Sequence, residues 1–513
     1  MNFIDRMIAA VAPARALKRE QARSRAAALV AARMAYDGAT KGRRAQGWRV
    51  SSTDANSENL PALARLRDVA RDMVRNNPYA ARGKQVLKNN IVGPGIFPSI
   101  VSKSKGERAA LEELIKAHFD TPACDVNGQM DLYGLQGLIM ATVAESGEAL
   151  VRRRRRRIED GYPLPFQIEV LEPDYFDTNK DGPLPNGGQI VQGVEFDPIG
   201  RRAAYWLFTE HPGSYATRQT NYESRRIPVD DVAHIYRIDR PGQVRGVTWF
   251  APCILKMRDL ADYGDAQLVR QKVAACFAAF VTADDDISGG GDAIKQAESG
   301  QPYSVEELQP GLIQRLRPGE DVTFGTPPSV GEYDAYKRAE LQEIAVGLGM
   351  SYEALSGDLK GVNFSSGRMG WLEFQRTIAT AQNHMLVPQL CHPLARWFFD
   401  AVLLMNGKAP KATMRWTPSP REMINPAEET RAARDAIRTG LSSRPNEQRK
   451  LGHDPADLDA EIADSNERAD RLGLVFDSDP RRVTSAGNAV SIPTEDGSDP
   501  NQTGENDNAE PNR

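Results

Sequence analysis

Six consecutive arginines, Arg152, Arg153, Arg154, Arg155, Arg156 and Arg157, are the loudest chemical signal in the chain. Guanidinium groups fork onto carboxylates and phosphates. Such a run therefore suits an acidic surface within the fold or assembly, nucleic acid, or a localisation signal. It lies between Leu150-Val151 and Ile158 in an apparent strand, and Glu169 and Glu172 on the next strand are acids within its reach. A structural or subunit contact is the first reading and DNA contact the second. Asp177-Thr-Asn179-Lys-Asp181-Gly182 starts like a calcium loop, but its twelfth position is Gly188 where a bidentate Glu belongs. An Asx-rich turn accounts for it. Of the six histidines, His384 and His392 share a helical stretch but stand eight apart with Pro388 between them, which argues against a shared metal. GxxxxGK[ST], HExxH and GxSxG are all absent. Cys124, Cys253, Cys276 and Cys391 are widely spaced, which fits buried free thiols better than zinc or a disulfide framework. The chain therefore reads as a non-enzyme with no cofactor and no metal.

The 513 residues are 40% hydrophobic and 26% charged. That composition supports a packed core and, at about 100–200 residues each, two to four domains. A net charge of −4 does not favour tight, sequence-specific DNA binding, although local patches can differ from the total. The most apolar stretch, Met385 to Met405, is interrupted by Pro388, Pro393, Arg396 and Asp400, so no membrane contact is expected. The N-terminal run has an acidic start and no charged n-region, and is not read as a signal peptide.

The elements that must position these residues follow from periodicity. Residues 1–58 form a basic, Ala-rich arm, with eleven Lys/Arg against three acids through Arg49. Residues 60–90 predict two helices, the second opened by Asn77-Pro78. Further helices are expected around Glu107–Phe119 and Leu132–Gly147. Phe166–Val170, Val191–Phe196, Ala203–Thr209 and Val232–Arg237 read as strands. A long helix runs from Pro252 to about Thr282. Pro310–Phe324 predicts two short strands joined at Pro318-Gly319, and Tyr333–Leu348 a helix closed by Gly349. A Gly/Ser-rich loop is expected from Ser356 to Gly367, then a helix from Met369 to about Leu404 kinked at Pro388. Asn425-Pro426 and Asp454-Pro455 open two more helices. Beyond Asp477 the composition predicts disorder.

Several segments in order give the chain a resemblance to the lambda-like portal proteins of tailed bacteriophages. They include Arg71-Asp-Met-Val-Arg-Asn-Asn-Pro78, Arg245-Gly-Val-Thr-Trp-Phe-Ala-Pro252 and Pro310-Gly-Leu-Ile-Gln-Arg-Leu-Arg-Pro-Gly-Glu-Asp321. The strongest is Ile344-Ala-Val-Gly-Leu-Gly-Met-Ser-Tyr-Glu-Ala-Leu-Ser-Gly-Asp358, followed by Asn363–Arg368, Leu372-Glu-Phe374, Pro420–Pro426 and Gly440–Arg444. The resemblance implies an α+β portal-type subunit that assembles as a ring, expected to be a dodecamer. It divides the chain into a basic arm (1–58), a wing (59–251), stem helix 1 (252–283), a clip (284–332) and stem helix 2 (333–349). A channel loop with the long wing helix (350–419), a helical crown (420–475) and a disordered acidic tail (476–513) complete it. The implied role is a DNA channel at one capsid vertex for packaging, retention, ejection and head–tail connection. Implied partners are other copies of the chain, the terminase large subunit, major capsid and scaffold proteins, head-completion or adaptor proteins, and double-stranded DNA held transiently without sequence preference. The implied location is the virion, after synthesis in the bacterial cytoplasm. Twelve copies at −4 each suit a channel that must not grip DNA firmly, so only a few cations are expected at its narrow point: Lys360 and Arg368, with Asn363 beside them. Another capsid or adaptor protein is the first rival reading, and a metal-dependent nuclease or hydrolase the second.

Overall fold

A computed structural model describes residues 12–34, 52–214, 223–276, 280–283, 320–323, 333–419 and 425–474, with single positions 43, 47, 423, 476 and 481. Residues 1–58 and 59–513 form separate units. The first contains helix α1 (Pro13–Met34), rich in arginine and exposed where its side chains are described.

The second unit is built as α+β. Helices α2 (Leu63–Asn76) and α3 (Pro78–Ile91) are divided at Asn77, whose side chain accepts from the amides of Tyr79 and Ala80 and so caps α3. Strand β1 (Phe97–Ser102), α4 (Lys105–His118) and α5 (Leu132–Ser146) follow, and Gly147 closes α5 at φ 93°. Strands β2 (Glu148–Arg155) and β3 (Phe166–Leu171) pair with β9 (Val232–Tyr236) in the order β3-β2-β9. A second antiparallel sheet joins β4 (Gly182–Pro183), β5 (Gln189–Val191), β6 (Val194–Phe196), β7 (Arg202–Phe208) and β8 (Ser224–Pro228) in sequence order. The main core packs α2–α5 and β1–β3 against the later helices. A smaller core lies between the two sheets, around Leu150, Phe176, Tyr205 and Ile227.

The structure departs from the sequence pattern at several elements. The run Val191–Phe196 is two strands, because Gln192 (φ 51°) and Gly193 (φ 82°) make the tight turn of a hairpin. The long helix α6 spans Ile254–Cys276, and Phe280–Ala283 is not its continuation but strand β10. Phe280, Val281 and Thr282 favour a pleated backbone. Their partner is β11 (Glu320–Thr323), while the expected strand before Pro318-Gly319 lies outside the described residues. After α7 (Tyr333–Leu348) and the short α8 (Tyr352–Ser356), helix α9 already begins at Phe364, so the expected loop to Gly367 ends at Asn363. Around Pro388 the helical run changes form. Residues Gln382–Cys391 widen into a π-helix, with the His392 amide donating to the Val387 carbonyl, before α10 (His392–Asn406). Proline has no N–H for the usual ladder, and the wider turn takes up the mismatch. Strand β12 (Ala412–Thr417) returns to pair with β1, and α11 (Pro426–Arg438), α12 (Arg444–Lys450) and α13 (Pro455–Leu472) end the described chain. No helix is long and apolar enough to cross a membrane among the described residues.

Cys124, Cys253 and Cys391 are buried free thiols, and burial pushes Cys124 up to about 12 and Cys253 to about 11. His118 is fully buried between Phe119 and Phe166, and neither ring nitrogen has a partner. Burial pushes its pKa down to about 4 from 6.5. An unfolded chain therefore gains a proton that the folded chain refuses. Stability is whole above pH 6.5 and falls as pH drops towards 4, by up to about 3 kcal/mol for this group. His118→Leu should raise stability at pH 7 by roughly 1 kcal/mol and flatten the acid loss. Thermal melts at pH 7 and pH 5 check this, and an acid loss as steep as the native chain's would reject the assignment.

Candidate functional site

The arginine run occupies the end of β2, where side chains alternate between faces. Arg153 and Arg155 point one way and converge on Asp231, at 2.7 Å and 3.0 Å. Arg153 also reaches Asp400 at 2.9 Å and lies over the Trp397 ring, so it clamps β2 to α10. On the other face Arg154 meets Glu169 at 3.0 Å. Arg156 donates to Gln167 at 2.8 Å. The Arg157 amide donates to Asp160 in the turn that follows the strand. Arg152 is half-buried, and burial together with neighbouring Arg154 lowers its pKa. Glu172, the other expected acid, turns away to Arg71 and His211, at 3.1 Å each. Arg153, Arg154, Arg155 and Arg156 thus bond within the subunit through their side chains, while Arg155 and Arg157 remain exposed.

The Asp177 turn is closed by its own side chains. Asp177 accepts from the Asn179 amide and the Ser224 hydroxyl, and Asp181 from the Gln192 amide. The first is an Asx-turn contact, and the other two tie the turn to neighbouring segments of the second sheet. His384 and His392 are both exposed. The group of three side chains among the described residues that could share a metal, Glu172, Asp174 and His211, is already engaged by arginines: Arg71 lies 2.6 Å and Arg67 3.1 Å from Asp174.

A buried polar knot went unread in the sequence. Glu148, His234 and Arg245 are buried together. Arg245 forks onto Glu148 at 2.6 Å and 3.0 Å, lies 3.7 Å from the centre of the Phe176 ring, and donates to the Gln192 carbonyl. His234 Nε2 lies 2.9 Å from Glu148, and Arg202 on β7 approaches its Nδ1 at 2.9 Å. Arg202 can only donate, so Nδ1 accepts and the proton sits on Nε2, facing the carboxylate. Burial raises the Glu148 pKa, but Arg245 and His234 outweigh it and hold the carboxyl far below its usual range. Burial pushes His234 down to about 4 despite Glu148. The knot ties β2, β9 and β7, and so joins the two sheets. It also explains why Gly246 follows Arg245: its amide donates to Glu148, and a Cβ there would strike the carbonyl of Gly147. The signal was present, since Arg245 opens one of the segments quoted above, but its partner lies 97 positions away.

The expected channel residues sit around a short loop. Asp358 accepts from the Lys360 amide at 2.9 Å and from Tyr352 at 3.1 Å, and Arg338 of α7 donates to the Lys360 carbonyl. The Lys360 side chain is exposed. Asn363 is the N-cap of α9: it accepts from the Ser366 amide at 2.8 Å, and the Ser366 hydroxyl accepts from its amide in return. Arg368 lies one turn into α9, half-buried. Neither Lys360 nor Arg368 makes an ion pair with a described residue.

Against this geometry, the profile of the family described as "Phage portal protein, lambda family" matches residues 41–382, about two thirds of the chain. The chain belongs to that family of phage structural proteins. It is 28% identical over 460 residues to the probable portal protein of Halomonas phage phiHAP-1, covering 86% of this chain and 87% of that one. It is 22% identical over 476 residues to portal protein B of Escherichia phage lambda, covering 82% and 86%. Among solved structures, a chain in the neck of a native gene transfer agent particle aligns with a TM-score of 0.45 at 15% identity, over 75% of this chain and 93% of that one.

Proposed function

We propose that twelve copies close into a ring at one capsid vertex, and that double-stranded DNA passes through its centre during packaging and ejection. The observation that carries this is α6. Among its described side chains, those buried in the core lie at its start: Ile254, Met257 and Leu260. Beyond that it continues without a buried described residue, leaving Leu268 and Val269 exposed. A 23-residue helix is about 35 Å long, a strut that a monomer leaves bare. It is braced by α7, where Lys256 meets Glu343 at 2.8 Å and Tyr263 stacks on Tyr333, and α7 itself exposes Val346 at 78%. Head-to-tail contacts between such struts close a ring.

In this reading α6 and α7 are the stem, residues 284–332 the clip, 59–251 and 350–419 the wing with its channel loop, and 420–475 the crown. The clip end would receive the terminase large subunit and later the head-completion proteins, and the wing the capsid and scaffold proteins. Lys360 and Arg368 would face the DNA. The native mass of the purified chain, with end-on particle averages, tests the ring. Twelve copies of 56.5 kDa give about 680 kDa with a central hole. A stable monomer at every salt concentration would overturn it.

A further inference from the structure

The C-terminal helices lack a core of their own. No residue of α11 is buried, α12 buries only Gln448, and no described apolar side chain past Trp416 is buried. Leu441 is 85% exposed, and Ile437, Ile462, Leu472, Leu474 and Phe476 are exposed with it. Helices this short are marginal without tertiary packing, so their apolar faces need a cover. Two complementary surfaces are present. One is a groove of about 860 Å³ between the π-helical segment and α11–α12, floored by Ala432, Ala433, Ala436 and Leu451 and edged by Arg449 and Lys450. The Nε of Arg449 is buried there with no partner, a donor waiting for an acceptor. The other is α13. Leu458, Ile462, Ala469 and Leu472 form one seam along it. It carries six acids against two arginines, whereas α11 and α12 together carry four acids against six Lys/Arg. Its start is held to its own α12, where Asp459 accepts from Arg444 and Gln448. Farther along, Glu461 beside the seam makes no ion pair with a described residue.

Resting on the ring reading above, we infer that the seam of α13 from one subunit seats in the α11–α12 groove of the next, with Glu461 meeting Arg449. Each subunit then offers a groove on one side and a helix on the other, a heterologous contact that closes with the ring and gives both surfaces the core they lack. The test uses the full chain carrying Ala436→Cys and Ile462→Cys under mild oxidation, with the native chain as background. Docking predicts a ladder of covalent oligomers on a non-reducing denaturing gel. Adding Arg449→Glu should cut the ladder about fivefold, and Glu461→Arg in the same chain should restore it. A closed ring by native mass with only monomer, or with cross-links inside single chains, would overturn the docking and leave the ring reading standing. Absence of any ring would overturn both.

Discussion

Glu148→Ala is expected to destabilise the fold by about 3–5 kcal/mol, because it leaves Arg245 charged, buried and unpaired. Arg245 is 2% exposed and points four of its hydrogen bonds into this pocket, three of them at Glu148. The same change removes the acceptor for the Gly246 amide and for His234. Since the knot joins the two sheets, the loss spreads to the smaller core around Phe176 and Tyr205. The melting temperature should fall by roughly 5–10 °C, at fixed protein concentration because ring assembly itself adds stability by mass action. Arg75→Ala breaks an exposed pair with Asp72, at 71% and 63% side-chain exposure, and should change the stability by less than about 0.5 kcal/mol. Glu148→Ala with Arg245→Met should cost less than the sum of the two single changes, since removing both charges spares the desolvation of either one. A melting temperature within a degree or two of the native value for Glu148→Ala would show that the knot is not closed to water.

What was legible in the sequence follows from the range of the interaction that decides each feature. Asn77-Pro78, Asn425-Pro426 and Gly349 set helix ends through contacts within four residues, and those ends fall where the residues place them. The period-two pattern of Phe166–Val170 located β3 for the same reason. The end of α6 was missed because helix and strand compete evenly for a short apolar run such as Phe280-Val-Thr282, and the winner is a strand about 40 residues later. The π-helix was hidden because a proline in a helix announces a fault but not its form. The arginine run was visible as charge. Its partners Asp231 and Asp400 were not, since only the pairing of β2 with β9 and the packing of α10 bring them near. Asn363 shows the reverse case: its position beside Lys360 suggested a channel role, while the residue three places on, Ser366, made it a helix cap.

That distinction makes the channel reading testable by charge alone. Lys360→Ala with Arg368→Ala should leave ring mass and thermal stability near native, because neither side chain pairs with a described residue. Retention of packaged DNA should change sharply. Each phosphate contact contributes about 0.9 to the slope of log affinity against log salt, so losing two contacts at any moment lowers that slope by about 1.8, and the native ring's advantage over the variant grows about tenfold from 200 mM to 50 mM salt. Filled heads bearing the double substitution should therefore leak DNA at lower ionic strength, and the salt dependence of leakage should flatten. Asn363→Ala separates geometry from charge. It removes the α9 cap at a cost of about 1 kcal/mol but leaves both cations, so it should loosen the loop without flattening the salt dependence. Leakage measured as nuclease-sensitive DNA across a salt series distinguishes the cases. Doubly substituted heads that hold DNA as native heads do, at every salt concentration, would remove Lys360 and Arg368 from the channel and assign the grip to other cations of the ring.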